Sequence, residues 1–180
     1  MFCERLTKMD KILIAEQDIQ QRVKALAHEI NVFLEAKKIK KVSVIWIAEG
    51  AVFFAKDLVE YLNANVEIEI FSIKISTYEN AKKFWREPVL VGSIPDVESK
   101  DVLLIDDILD TGHTLTFAKN ILVEQGAKNI FTCVFLNKKL ECVKKINPDF
   151  FGFEIDDVFV YGYGLDKENT LRELRDLYSI

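Results

Sequence analysis

Val102-Leu103-Leu104-Ile105-Asp106-Asp107-Ile108-Leu109-Asp110-Thr111-Gly112-His113-Thr114 is the stretch whose reading decides the fold. Val102 to Ile105 are four apolar residues in a row, short and bounded by polar ones, and they read as a buried strand. Asp106 to His113 read as the loop that follows. Thr114 to Gln125 carries helical spacing, and Gly126 is placed to stop that helix. In open α/β sheets ligands bind at the carboxyl ends of the strands. Thr111-Gly112-His113-Thr114, at a helix start, offers free N–H groups and two hydroxyls, which suits a phosphate. Asp106 and Asp107 can accept hydrogen bonds from vicinal hydroxyls such as those of a ribose, and Asp110 is left to act as a general base. The plainer reading makes the acids turn formers and the threonine a helix cap. The whole ordered run favours the first reading over the second.

The same alternation of strand and helix extends in both directions. Residues 16–37 place Ile19, Val23, Leu26, Ile30 and Phe33 at helical spacing. Val42 to Ile47 reads as a buried strand and Ala51 to Leu62 as a helix. Val66, Ile68 and Ile70 alternate with Glu67 and Glu69; then Phe71, Ile73 and Ile75 take over, which predicts a bulge near Phe71. Residues 77–99 have weak periodicity and contain Pro88, Gly92 and Pro95, so they read as a functional loop, with Val89 to Val91 as a short hairpin arm. Ile130 to Leu136, Phe150 to Ile155 and Phe159 to Tyr163 read as later strands, and Leu171 to Leu177 as a short terminal helix. Strands alternating with helices imply a mainly parallel central sheet flanked by helices. The expected fold class is α/β, one domain over residues 1–180, with a small hood made from the terminal segments.

A chain of 180 residues with 49% hydrophobic content can bury a sizeable core. No stretch reaches the ~18–20 apolar residues of a membrane span, and charges interrupt the first ten residues, which do not read as a signal peptide. Cys3, Cys133 and Cys142 are odd in number and form no CxxC pair, as expected of reduced thiols in a cytoplasmic protein. The net charge of −5 argues against a nucleic-acid partner, although backbone N–H groups and a divalent metal can still bind a small polyanion.

The run from Asp106 to Thr114 resembles the signature with which type I phosphoribosyltransferases bind phosphoribosyl pyrophosphate (PRPP): two acids, two apolar residues, Asp-Thr-Gly, a variable residue and Thr. From about Val42 to the end the chain is similar to the hypoxanthine-guanine branch of that family. Lys138, then Pro148 to Ile155, then Phe159 to Asp166 match its base-binding hood (about 138–180) in order and spacing. Thr77-Tyr78 heads the long loop where the family carries a Ser-Tyr pair on its mobile lid (about 77–99), and Arg172 matches a tail arginine associated with pyrophosphate.

The resemblance implies a role for each matched residue. Asp106 and Asp107 would hold the ribose 2′- and 3′-hydroxyls, and Asp110 would take or position the proton on purine N7. Thr111, Gly112, His113 and Thr114 would bind the 5′-phosphate, with His113 a spectator beyond its N–H. Lys138 would donate to the purine O6, Phe159 would stack on the base and the main chain at Val160 would meet its edge. Asp166 would help hold a Mg²⁺ shared with pyrophosphate. Taken singly, Lys138 also reads as a solvated lysine, Phe159 as core and Asp156-Asp157 as a turn. The substrates implied are PRPP and a 6-oxopurine base, the partners no nucleic acid and no membrane, and the assembly a homodimer or homotetramer.

The chain departs from the family at the end of its first strand. A loop resembling Lys-Gly-Gly or Arg-Gly-Gly is replaced by Ala48-Glu49-Gly50; Gly50 keeps the glycine, but the cation is missing and Glu49 adds an acid. A cis peptide is expected at Ile47-Ala48 by the same resemblance. Four residues after Lys138, Cys142 stands where an arginine is common. Both departures fall on the pyrophosphate subsite and predict weaker pyrophosphate binding, unless Lys139 or Lys144 compensates. Two functions follow: an active purine-salvage transferase, or a non-enzymatic regulator that binds PRPP or nucleotide on the same fold. Asp110 and Lys138 favour the enzyme.

Overall fold

A computed structural model describes residues 11–62, 65–79, 86–140, 144–168 and 170–180. Cys3, Trp85 and Cys142 lie outside them. The elements run β1 (Lys11–Ile14), α1 (Glu16–Ala36), β2 (Lys41–Ala48), α2 (Val52–Glu60), β3 (Glu67–Glu79), β4 (Arg86–Val91), β5 (Asp101–Leu109), α3 (His113–Glu124), β6 (Asn129–Lys138), β7 (Phe150–Ile155), β8 (Val160–Tyr161) and β9 (Leu177–Ser179). Six strands form one sheet in the order β4-β3-β2-β5-β6-β7, parallel throughout except for the β3–β4 hairpin. The other three, β1-β9-β8, form a small antiparallel sheet from both ends of the chain. The expected α/β class and terminal hood are both present.

The two faces of the large sheet carry separate cores. Val42, Val44, Leu103, Ile105 and Phe135 pack with the buried stripe of α1 (Ile19, Val23, Leu26, Ile30) and with Phe54 and Leu58 of α2. Ile45, Ile47, Val102 and Leu104 face the other way, onto Leu115, Ala118 and Leu122 of α3. This accounts for the change of phase in β3, where no bulge occurs: the pairing from Lys41↔Glu67 to Ala48↔Lys74 is unbroken. Ile68 packs against the first core, while Phe71 and Ile75 pack against the second, beside the buried Ile73. The apolar residues change parity because different faces are covered along one strand.

Two expectations are corrected. β5 runs on through both acids to Leu109, with Asp106 opposite Val134 and Ile108 opposite Leu136, because ladder hydrogen bonds to β6 outweigh the poor strand propensity of aspartate. Leu171 to Leu177 is not a helix. Leu171 has φ of 65°, the carbonyls of Arg172 and Leu174 accept from Gly164 and Tyr163, and Leu177 joins a strand between β1 and β8.

Past the end of β2, β3 continues as an arm paired with β4, from Lys74↔Val91 to Glu79↔Arg86. Its five residues beyond Lys74 overhang the sheet by roughly 16 Å at strand rise. Thr77 and Tyr78 lie on this arm, opposite Pro88 and Glu87. The last part of the stretch expected to be loop is docked instead: Val97 is buried in the α3-side core and Ile94 packs against it.

Candidate functional site

Parallel strands present their carboxyl ends along one edge, and there the chemically distinctive residues meet. β2 delivers Ala48 to Gly50, β5 delivers the acids and the turn to α3, and β6 ends at Lys138.

Asp106 is buried, and its Oδ1 accepts from the Asp107 N–H at 3.0 Å; Asp107 Oδ1 accepts from the Ile108 N–H at 2.8 Å. Burial pushes both carboxyls up. The negative charge of Asp107 adds to the rise at Asp106, while hydrogen bonds from Asp106 and Ile108 offset part of the rise at Asp107. Asp106 is therefore the member of the pair that holds a proton more readily. Together they form a rigid acceptor pair suited to vicinal hydroxyls.

Gly50 lies directly against this pair. A Cβ there would collide with Asp107 Oδ2 and stand 2.6 Å from its Cγ. On its other side is Gly164, at φ of 99°, where a Cβ would strike the Gly50 carbonyl oxygen. Both glycines are required for close approach of backbone. The peptide Ala48-Glu49 is cis, one bond later than expected.

Between β5 and α3, Gly112 is left-handed at φ of 84° and turns the chain into the helix without a side-chain cap. The first intrahelical bond runs from the Thr116 N–H to the Gly112 carbonyl at 3.0 Å, so the first-turn N–H groups, His113 and Thr114 among them, have no intrahelical acceptor. Thr111 is exposed beside them, its carbonyl taken by the Lys145 N–H at 3.1 Å. A 12-residue helix opening this way suits an anion.

Lys138 is only 12% exposed, with Nζ at 2.9 Å from Asp157 Oδ1 and 4.0 Å from Asp110 Oδ2. Asp157, read from sequence as part of a turn, thus stands beside Lys138; no sequence signal ties the two, because they meet through the β6–β7 register that sets Lys138 opposite Ile155. Phe159 is 54% exposed on the same segment, so it is not core, and Val160 is buried and paired with Ser179.

Arg172 closes the site from the hood. Its Nη2 donates to Asp166 Oδ1 at 2.8 Å and its Nη1 to the Gly164 carbonyl at 2.7 Å. Glu49 is bound by Lys74, Nζ to Oε1 2.9 Å. That hydrogen bond, the Lys74 charge and then Arg172 hold the Glu49 carboxyl below its usual range, against an opposing push from Asp166. Lys74 had no sequence signal beyond being a lysine in a strand; the β2–β3 register, Ala48 opposite Lys74, puts it beside the loop. Lys139 pairs with Glu154, and Lys144 donates to Asn137. No three His, Cys, Asp or Glu side chains converge as a metal cage among the described residues. No helix among them is long and apolar enough to cross a membrane.

Comparison with known proteins gives a consistent picture. A family model described as a phosphoribosyl transferase domain matches residues 11–168. The hypoxanthine-guanine phosphoribosyltransferase of Aquifex aeolicus is 37% identical over 171 residues, 94% of each chain. That of Bacillus subtilis is 32% identical over 167 residues, covering 92% of this chain and 90% of the relative. The solved structure of the Trypanosoma cruzi hypoxanthine phosphoribosyltransferase in complex with the product IMP superimposes with a TM-score of 0.84 at 27% identity, over 97% of this chain and 96% of that one.

Proposed function

Because the chain belongs to the phosphoribosyl transferase family, we propose that it is a purine-salvage enzyme joining hypoxanthine or guanine to PRPP, giving IMP or GMP and pyrophosphate. The observation that carries this reading is Lys138, nearly buried and fixed between Asp157 and Asp110, with the exposed ring of Phe159 following Asp157 in the chain. A fixed ammonium presents donors only and fits a purine with oxygen at position 6. Phe159 stacks on the base, and the main chain at Val160 meets its edge. The catalytic Asp110 side favours an enzyme over a regulator that merely binds nucleotide.

In this reading Asp106 and Asp107 hold the ribose hydroxyls, and the 5′-phosphate sits on Thr111, Gly112, His113 and Thr114. Purine N9 attacks the anomeric carbon, the bond to pyrophosphate breaks with its electron pair leaving on oxygen, and Asp110 takes the proton from N7. Positive charge building on the ribose is stabilised by the carboxylates beside it. Gly50 and Arg172 face the leaving group. Asp166, with Glu49 within electrostatic reach, makes a sparse carboxylate set beside cations. That fits Mg²⁺, which favours one or two carboxylates plus substrate phosphates. Bound there, the ion would neutralise charge developing on pyrophosphate. The arm carrying Thr77 and Tyr78 closes over the site as a lid. The same reading takes the protein as a cytoplasmic homodimer or homotetramer.

The test is nucleotide formation from PRPP and Mg²⁺ with each base in turn. Hypoxanthine and guanine should react. Adenine puts an amino donor against Lys138 and should be slower by ~10⁴-fold. Equal rates with adenine, or no product from any base, would overturn the assignment.

A further inference from the structure

The leaving pyrophosphate is attached next to the ribose hydroxyls, so its site must adjoin Asp106 and Asp107. The loop at that place offers Glu49 where an anion has to bind. Yet Glu49 does not stand alone: Lys74 Nζ is bound to it at 2.9 Å, and the Arg172 charge also helps hold its carboxyl low. Arg172 donates to the Gly164 carbonyl, and Gly164 packs against the Gly50 carbonyl, so the guanidinium stands on the hood beside the loop. Two ion pairs thus flank the loop: Lys74 with Glu49, and Arg172 with Asp166. Lys74 cannot drift along its strand, because it is paired with Ala48 on one side and Val91 on the other. Its side chain is 50% exposed, so the ammonium is accessible to a ligand.

We propose that Lys74 is the cation that binds the pyrophosphate of PRPP in this chain, supplied by the neighbouring strand in place of the loop. Glu49 is its positioning residue, holding the ammonium at the loop until the anion takes it. The inference rests on the transferase reading for the identity of the anion. It also gives the arm a part in the chemistry, since Lys74 is the residue at which β3 leaves β2 and begins pairing with β4.

Calorimetric titration with pyrophosphate at fixed Mg²⁺, and separately with IMP, tests this on the full chain without requiring turnover. Lys74→Gln should weaken pyrophosphate about ten- to hundred-fold, the worth of a hydrogen bond to a charged group, and leave IMP within about twofold. Glu49→Ala should weaken pyrophosphate about threefold although it removes a negative charge, because an untethered lysine must be ordered on binding. Adding Glu49→Lys to Lys74→Gln returns a cation to the loop and should recover most of the lost affinity. A structural role for Lys74 would not be rescued in that way. Unchanged pyrophosphate affinity in Lys74→Gln, equal losses for pyrophosphate and IMP, or absence of rescue in the double variant would overturn the proposal. Tighter pyrophosphate binding by Glu49→Ala would overturn the positioning role. Turnover by the unmodified chain is scored independently: pyrophosphate binding with this mutational pattern but no IMP synthesis would sink the transferase reading and leave Lys74 standing.

Discussion

Asp106, Asp107 and Asp110 are three acids within five residues, and their surroundings set them apart. Asp110 is more than half exposed and stands 4.0 Å from Lys138. Asp110→Asn keeps its shape and removes its basicity, and Lys138 stays held by Asp157 at 2.9 Å. IMP formation should fall by ~10²–10⁴-fold while IMP affinity changes little; full activity would remove Asp110 from the mechanism. Asp106 is buried, and burial plus the Asp107 charge raise its pKa well above the usual carboxylate range. The native state therefore binds this proton more tightly than the unfolded chain. Stability contributed by the protonated form is present below the ordinary carboxylate pKa and is lost as pH rises through the raised one. Asp106→Asn carries no charge and keeps an acceptor for the Asp107 N–H, so it escapes that loss. At neutral pH its Tm should exceed that of the parent by about 2–4 °C, while nucleotide affinity drops. The gap should shrink as pH is lowered towards ~4. A gap that is negative at neutral pH, or constant across the range, would show that the acid pair is not held at the expense of stability.

Among the elements, the arm formed by β3 and β4 has the clearest mechanical assignment. It extends past the end of β2, and Val89 and Val91 are 44% and 41% exposed along it. Hydrogen exchange should show weak protection of the β4 amides in the free protein and stronger protection with PRPP and an unreactive base analogue bound. Equal protection in both states would argue against closure. The arm was only partly legible in the sequence, and the reason is physical. Pro88 and Gly92 read as loop signals, but an edge strand tolerates proline because one side of its backbone needs no donor. Elements buried on both faces, such as Val42 to Ile47 and Ile130 to Leu136, were legible because continuous apolar runs have few other uses. The extension of β5 through Asp106 and Asp107 was not, since charged residues in a central strand are accepted only where the strand end carries a function. The Lys138–Asp157 and Lys74–Glu49 pairs were equally hidden, since each joins residues whose proximity is set by sheet register.

At the scale of the whole molecule, segments far apart in the chain are bound into one small sheet. β9 lies between β1 and β8, so the hood sheet needs residues 11–14 and 177–179 together. Tyr163 anchors this sheet to the body: its hydroxyl donates to Asp57 at 2.7 Å, and its ring packs against Phe53 and Phe135. A second tie is Asp176, whose Oδ1 accepts from the Glu16 N–H at 2.7 Å. Glu16 begins α1, and the residue before it, Ala15, provides no side-chain cap. The tail thus caps the longest helix across 160 residues of sequence, where a local serine or aspartate would ordinarily serve. The carboxylate also meets the positive end of the helix dipole. Asp176→Ala should therefore cost about 1 kcal/mol, the usual worth of a cap, and lower Tm by about 2–4 °C for a chain of this size. Asp176→Asn keeps an acceptor and loses the charge, so it should fall between the two. Because the same residue leads into β9, the loss should also loosen the hood: base affinity should decline in Asp176→Ala, and affinity for PRPP should decline with it, since Arg172 and Asp166 stand on the same segment. Scanning calorimetry with separate titrations of IMP and PRPP measures both effects. A Tm unchanged by Asp176→Ala would mean that solvent caps α1 as well as the tail does, and the hood would then owe its position to Tyr163 and the β1-β9 pairing alone.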